Sequence, residues 1–278
     1  MSKIYIPLPK KEDLNLFLNE IDGFFIGIKD YSYGFNNLLD INKLKDYIDL
    51  IRGSNKEIFI AFNRLYYNSE IEGLKALIMA IKDLDITGIC FSDIGVLNIL
   101  NELEFNKDIL WYSNHIGTNS KTIEFLSKRN VDLFLLSNEI TKDEIIKIKK
   151  NSNKIIGCTL YGHLNMATSS RKLLTNYFTY INKEKKKDTY TFHDKVKDKD
   201  YIITEGFNTD FYTKDILNGI KYYKELNDII DFIYLDDYMI DTKEFLNVIN
   251  SFKNNTVTDN EYTGFLDKKT VYKVEDYE

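Results

Sequence analysis

Asn63, Asp93, Asn114, Asn119, Glu139 and His163 each follow within a few residues of a short apolar run, while Arg171, Asn176, Tyr177 and His193 come later, in and after one block. Amides supply paired donors and acceptors, carboxylates and imidazoles move protons, and a guanidinium grips a carboxylate or phosphate with two parallel bonds. The same runs also end in Lys29-Asp30, Asn63-Arg64, Ser92-Asp93, Ser113-Asn114-His115, Ser137-Asn138-Glu139, Tyr161-Gly162-His163 and Asp236-Asp237. A single polar residue after a strand is ordinarily a wet loop. A polar residue after nearly every strand is expected to form a binding mouth.

The competing readings are specific. Arg171 either holds an anionic group or braces the rim through an ion pair with Glu139. His115 and His163 share a rim, and with Asp93 or Glu139 they have the donors of a metal site, although no metal is expected. His193 sits in TFHDK, where a solvent-facing hairpin histidine is the plainer reading. The lysines from Lys183 to Lys199 number seven against four acids, a local +3 with Tyr190 and Phe192 interleaved. Such a stretch is either a solvated hairpin or a contact for RNA phosphate and bases. GxSxG and HExxH are both absent, and Cys158 lies inside an apolar run, as inert buried thiols do.

The elements that must position these groups alternate along the chain. Strand-like runs cover 4–6, 23–28, 57–62, 88–92, 109–112, 131–136, 154–160 and 231–235, apolar on consecutive residues as strands covered on both faces should be. Between them, Ile41–Ile51, Ile71–Leu84, Gly95–Leu103, Ser120–Arg129 and Thr141–Lys150 repeat apolar residues at three and four. Thr141 and Glu144 have the spacing of a capping box, and Asp40 is placed to cap the helix after it. Eight such units without a glycine-rich phosphate loop predict an α/β fold, a (β/α)8 TIM-like barrel rather than a doubly wound open sheet. Barrel residues 1–250 are expected to carry an inserted hairpin or subdomain at about 182–212, between strands seven and eight. Residues 251–278 are expected to form a tail with a short hairpin from Gly264–Leu266 and Thr270–Tyr272.

The chain has 278 residues, 44% hydrophobic and 29% charged, which suits a large core beneath a solvated surface. Its formal charge of −6 argues against nucleic-acid binding by the whole surface. Two cysteines, no secretory-type start and no apolar stretch of membrane length lead us to expect a cytoplasmic protein with no membrane association.

The block CTLYGHLNMATSSRKLLTNYFTY, Cys158 to Tyr180, with TFHDK beyond it, resembles the signature of the peptidase U32 (collagenase-like) family. Gly162, Leu164, Ala167, Ser169, Arg171, Leu173, Leu174, Asn176 and Tyr177 match it, whereas Asn165 and Lys172 stand at cysteine positions. Tyr161 stands where the family histidine precedes the glycine, and SNEI replaces a segment usually reading SREL, with Asn138 in place of its arginine. In cluster-bearing members those cysteines hold an iron–sulfur centre, so the resemblance implies a short member without one, working beside a longer cluster-bearing U32 partner. It further implies hydroxylation without free oxygen as the oxidant, of a tRNA wobble uridine, of ribosomal RNA or of a quinone ring, the first being preferred, with a tRNA loop or a small carboxylate donor such as prephenate as what this chain would bind. Whether the chain is itself an enzyme stays open. The alternatives are a U32-type peptidase or hydrolase, for which the sequence shows no catalytic machinery, and a small-molecule-binding barrel without turnover.

Overall fold

The computed structural model describes residues 2–257 and 262–268. The chain begins β1 (Lys3–Pro7), α1 (Leu14–Phe17), β2 (Gly23–Ile28), β3 (Leu38–Leu39) and α2 (Ile41–Ile51). It continues β4 (Glu57–Phe62), α3 (Ile71–Ile81), β5 (Gly88–Phe91), α4 (Ile94–Glu102), β6 (Asp108–Tyr112) and α5 (Ser120–Ser127). Then come β7 (Leu133–Leu135), α6 (Lys142–Lys150), β8 (Ile155–Ser169), α7 (Leu173–Tyr180), β9 (Thr189–Asp194), β10 (Lys199–Glu205) and β11 (Thr209–Asn218). The described elements end with α8 (Ile220–Leu226), β12 (Phe232–Leu235) and α9 (Thr242–Asn254).

Eight of these strands close a parallel barrel in the order β1, β2, β4, β5, β6, β7, β8, β12. Phe232 of β12 sits opposite Lys3 on one side and Gly157 on the other, which completes the ring. Every one of the eight coincides with a run read from the sequence. Alternate residues point in opposite directions. Ile4, Ile6, Phe24 and Ile26 pack outward under the helices, while Tyr5, Phe25, Phe59, Phe232 and Tyr234 fill the interior. The interior rings touch directly, Tyr5 on Phe232 and Phe25 on Tyr234 both at 5.0 Å between centroids. Small inward residues make room for them: a Cβ on Gly157 would lie 2.3 Å from the Phe232 ring.

The capping box forms, with Glu144 N donating to Thr141 Oγ1 and Thr141 N to the Glu144 carboxylate. Asp40 occupies the cap position of α2, but its side chain makes no capping bond.

The insertion is wider than the hairpin expected at about 182–212. β8 is fifteen residues long; its first half belongs to the barrel, and its second half rises past the rim. There it pairs antiparallel with β11, from Tyr161–Asn218 to Ser169–Thr209, and β10 and β9 continue the sheet. α7 connects β8 to this sheet, held by Glu205, which accepts from Thr175 and Lys185. Beyond the barrel, Gly264–Leu266 lies in a turn with Gly264 at φ +58°, and Thr270–Tyr272 lies outside the described residues.

Candidate functional site

The C-terminal ends of the barrel strands deliver their polar residues to one mouth, as the geometry of this architecture requires. At its base is a narrow well of about 20 Å³ between Asn138, Thr159, His163, Asn165, Tyr212, Tyr234 and Asp236. Above and beside it opens a cleft of about 370 Å³ lined by Ser92, Ser113, His115, Met166 and Thr168 among others. Tyr33, Asn63 and Asn114 border both, so the two spaces adjoin. Two larger hollows, of about 630 and 500 Å³, lie away from the strand ends. The first is between α5 and the loop after α6. The second is at the opposite end of the barrel, where Lys3, Glu57, Asp108 and Asp231 gather. Neither collects residues from several strand ends at the C-terminal face.

Local chain geometry builds the mouth. Gly162 adopts φ +128° where β8 passes β12, and a Cβ there would lie 2.7 Å from Asp236 Cβ. Without a side chain at 162, the β8 backbone can approach Asp236 closely. The following residue, His163, turns its Nδ1–H to the Thr213 carbonyl at 2.8 Å. That tautomer leaves Nε2 as the acceptor. Asn63 clamps the loop after β2, accepting from Tyr33 N at 3.1 Å and donating to Tyr33 O at 3.0 Å.

The electrostatics favour uncharged, proton-bearing groups. Burial, reinforced by the neighbouring Asp237 charge, pushes the Asp236 carboxyl up to about 8. Burial likewise lifts Asp237 to about 7 and, against a hydrogen bond from Thr168, Asp210 to about 6. It lifts the Tyr33 phenol to about 12, and those of Tyr112, Tyr212 and Tyr234 well above their ordinary value. Burial also lowers the His163 pKa and so keeps its ring neutral. At neutral pH the well therefore holds a carboxylic acid, a neutral imidazole and phenols.

The residues picked out from the sequence divide five ways. Asn63, Asn114 and His163 reach the mouth. Glu139 stands at its edge, bonded not to Arg171 but to His115 Nδ1 at 3.1 Å, while His115 Nε2 meets Asn165 Oδ1 at 3.1 Å. Asp93 and Asn119 are helix caps: Asp93 accepts from Gly95 N and Tyr66 N, Asn119 from Lys121 N and Thr122 N. Arg171, Asn176 and Tyr177 are exposed around α7, and the Arg171 guanidinium makes no ion pair among the described residues. His193 lies on β9 beside Asp200, at 3.0 Å. The sequence reading passed over Tyr33, Tyr112, Tyr212 and Tyr234. Tyr112 and Tyr234 sit at inward positions near the strand ends, a parity visible once the strands are drawn.

The donor set does not fit an iron–sulfur centre, which takes thiolates. Cys90 faces the barrel interior and Cys158 the helix layer, on opposite sides of the wall. Burial raises both thiols, Cys158 to about 12, so neither is a ready thiolate. Among the described residues, no three of His, Cys, Asp and Glu gather as metal ligands.

A closed eight-stranded barrel with its polar mouth at the strand C-termini, extended by an antiparallel sheet on the seventh barrel strand, defines a class of TIM-like proteins. Within that class, the Peptidase family U32 model matches residues 11–270, and the chain belongs to this family. It is 24% identical over 224 residues to tRNA hydroxylation protein P2 of Bacillus subtilis (strain 168), covering 78% of this chain and 72% of that protein. It is 27% identical over 158 residues to tRNA hydroxylation protein P of Haemophilus influenzae, covering 56% of this chain but only 34% of the relative. The solved structure of a U32 peptidase superposes with a TM-score of 0.49 at 10% identity, over 58% of this chain and 69% of that one. No helix among the described residues is long and apolar enough to cross a membrane.

Proposed function

We propose that this protein acts in tRNA hydroxylation, as a U32 member that binds substrate while a longer, cluster-bearing U32 partner carries out the redox step on a wobble uridine without free oxygen. The observation that carries this reading is the match over 78% of the chain to a relative named for tRNA hydroxylation. Two features of the molecule support it. The mouth presents hydrogen-bonding groups and no thiolate, which suits binding better than electron transfer. The inserted sheet offers Lys183, Lys186, Lys187, Lys195 and Lys197, all exposed, while Lys185 and Lys199 are tied to acids. Exposed Tyr177, Tyr180 and Phe192 accompany them, a combination suited to phosphate contact and base stacking. Thiol-dependent hydrolysis finds no support, because both cysteines are buried.

The test is mass spectrometry of tRNA nucleosides from cells with the gene, without it, and with it restored. Loss of the hydroxylated uridine on deletion, and its return on restoration, is expected. An unchanged profile, persisting when the longer U32 relative is deleted as well, overturns the reading in favour of a binding barrel with other duties.

A further inference from the structure

The inserted sheet does not stay on its own side of the barrel. In the ring, β4 stands four strands from β8 in either direction, so the two are diametrically opposed. The turn between β10 and β11 nonetheless reaches the end of β4, where the Phe207 ring centre lies 3.8 Å from the guanidinium carbon of Arg64. The upper half of β8 and its partner β11 therefore span the mouth as a strap. Met166, Ala167 and Thr168 of this strap wall the cleft of about 370 Å³ together with Leu65, Ser113 and Ile116 of the rim.

Two features mark the strap as a part that moves. The first is its root. Gly162 has φ +128°, and β11 loses register twice, between Phe211 and Tyr212 and between Tyr212 and Ile216, so the ladder is interrupted just above the barrel. An interrupted ladder concentrates bending in one place. The second is its underside. Where the strap crosses the rim, buried polar residues stand on both sides, Asn63 and Arg64 below, Asn165 and Asp210 above. Its outer ties are single contacts: His115 Nε2 on the Asn165 amide at 3.1 Å, Tyr238 on Tyr212 at 5.2 Å between ring centres, and Phe207 on Arg64. Water replaces polar contacts of this kind far more cheaply than it replaces the aromatic packing of the barrel interior beneath.

Arg64 is the fixed side of the contact at the tip. It is 3% exposed, bonds Glu70 and the Asp30 carbonyl, and lies 4.6 Å from the Tyr66 ring centre. Phe207 is 47% exposed, so its ring can leave without opening the core. A guanidinium over a ring face attracts it weakly and reversibly. We propose that the upper half of β8 and β11 form a hinged strap over the mouth, pivoting where β8 leaves the barrel and latched on the far rim by Phe207 against Arg64. In the closed arrangement the well beneath is only about 20 Å³, and a ligand enters it after the latch parts. This gating is the same whatever ligand the mouth takes, and so stands apart from the tRNA reading.

The experiment places a thiol reporter in the well with Thr159→Cys and times its reaction with N-ethylmaleimide by mass spectrometry. Cys90 and Cys158 are buried and supply the slow background, measured in the parent chain. With Phe207 in place the reporter should react slowly. Phe207→Ala should speed it by roughly three- to tenfold, the reach of one cation–π contact, and Phe207→Trp should restore the slow rate. Urea midpoints of the three chains should coincide, which locates the change in the strap rather than the whole fold. Spin labels at Gly206→Cys and Gly53→Cys, where an added Cβ meets nothing within 4 Å, read the motion directly by electron–electron double resonance. One distance is expected with Phe207, and a second, longer one in Phe207→Ala. Equal labelling rates in the three chains overturn the proposal. So does Phe207→Trp reacting as fast as Phe207→Ala, a rate that rises only in step with a fall in the urea midpoint, or a single unchanged distance in Phe207→Ala.

Discussion

The two halves of β8 make the sharpest contrast in the molecule. From Ile155 to Tyr161 the strand lies between β7 and β12, parallel to both and covered on both faces. Beyond Tyr161 the same strand is antiparallel to β11, and the sheet it starts becomes steadily more exposed until β9 is mostly in solvent. The lower half belongs to a closed ring with no free edge, where every side chain is placed by neighbours on both sides. The upper half belongs to an open sheet held by its own ladders, by ring contacts such as Phe192 on Tyr201, and by the polar ties of Glu205 to Lys185 and Thr175. Closure gives the mouth fixed positions; the open sheet leaves an exposed shoulder beside it.

The largest expected effect tests the closed half. Phe232→Ala should lose about 3–5 kcal/mol in denaturant unfolding, because the ring is fully buried against Tyr5 and Gly157. Phe192→Ala, on the open sheet, should lose less, about 1–2 kcal/mol, because its ring is 37% exposed and packs on Tyr201 and Phe211. Equal losses would abolish the contrast.

Glu205→Ala comes next, at about 1–3 kcal/mol, since it takes the acceptor from the Thr175 N–H and hydroxyl, leaves Lys185 with Asp188 alone, and loosens α7 from the sheet. Its pH behaviour follows from the carboxyl itself. Burial alone would raise it, but hydrogen bonds from Lys185 and Thr175 outweigh that and bring it down from 4.5 to about 2. Its stabilisation is therefore present above about 4.5 and lost as pH falls towards about 2. Hydrogen exchange should show α7 and β10 opening in that window before the barrel does.

Asp236 has the opposite sign. Its carboxyl is raised from 3.8 to about 8 in the folded protein, so the native state keeps a proton that the unfolded chain has released. Native stability should fall as pH climbs between those values and level off above them. Asp236→Asn should make that slope shallower, read from urea midpoints at successive pH values, with the remainder coming from Asp237 and Asp210, which are raised to about 7 and about 6. A parallel profile for variant and parent would show that Asp236 is ionised throughout.

The smallest effects on stability fall on the exposed cations. Changing Lys186, Lys187 and Lys195 together to Glu, or Arg171 to Ala, should alter unfolding by no more than about 0.5 kcal/mol each. The triple change should weaken tRNA binding and flatten its dependence on salt by about two to three ions. Loss of tRNA affinity with Arg171→Ala would give that guanidinium the anion expected of it; unchanged binding and unchanged modification would remove it from the site.

Much of the barrel was legible because strands covered on both faces spell themselves as mostly apolar runs, and all eight could be found that way. The upper half of β8 was not, since Gly162, His163, Asn165, Thr168 and Ser169 read as a polar loop and become a strand only because β11 returns beside them. Asp93 and Asn119 looked like ligands for a physical reason: the side chains that hold a substrate are the same ones that satisfy the first N–H groups of a helix. Which of the two jobs a residue does depends on whether a helix starts within three residues in space as well as in sequence.

What the sequence by itself determined was the alternation of strand and helix, the ring of polar strand ends, and the family block around Gly162 and Arg171. Local pattern and residue chemistry carry that information. Only the tertiary structure decided that Tyr33, Tyr112, Tyr212 and Tyr234 share one well with Asn165 and Asp236. These residues are scattered over some two hundred positions, and only closure of the barrel and the return of β11 bring them together. Their neutral, proton-bearing state was decided there too, because it comes from burial, which no single stretch of chain can supply.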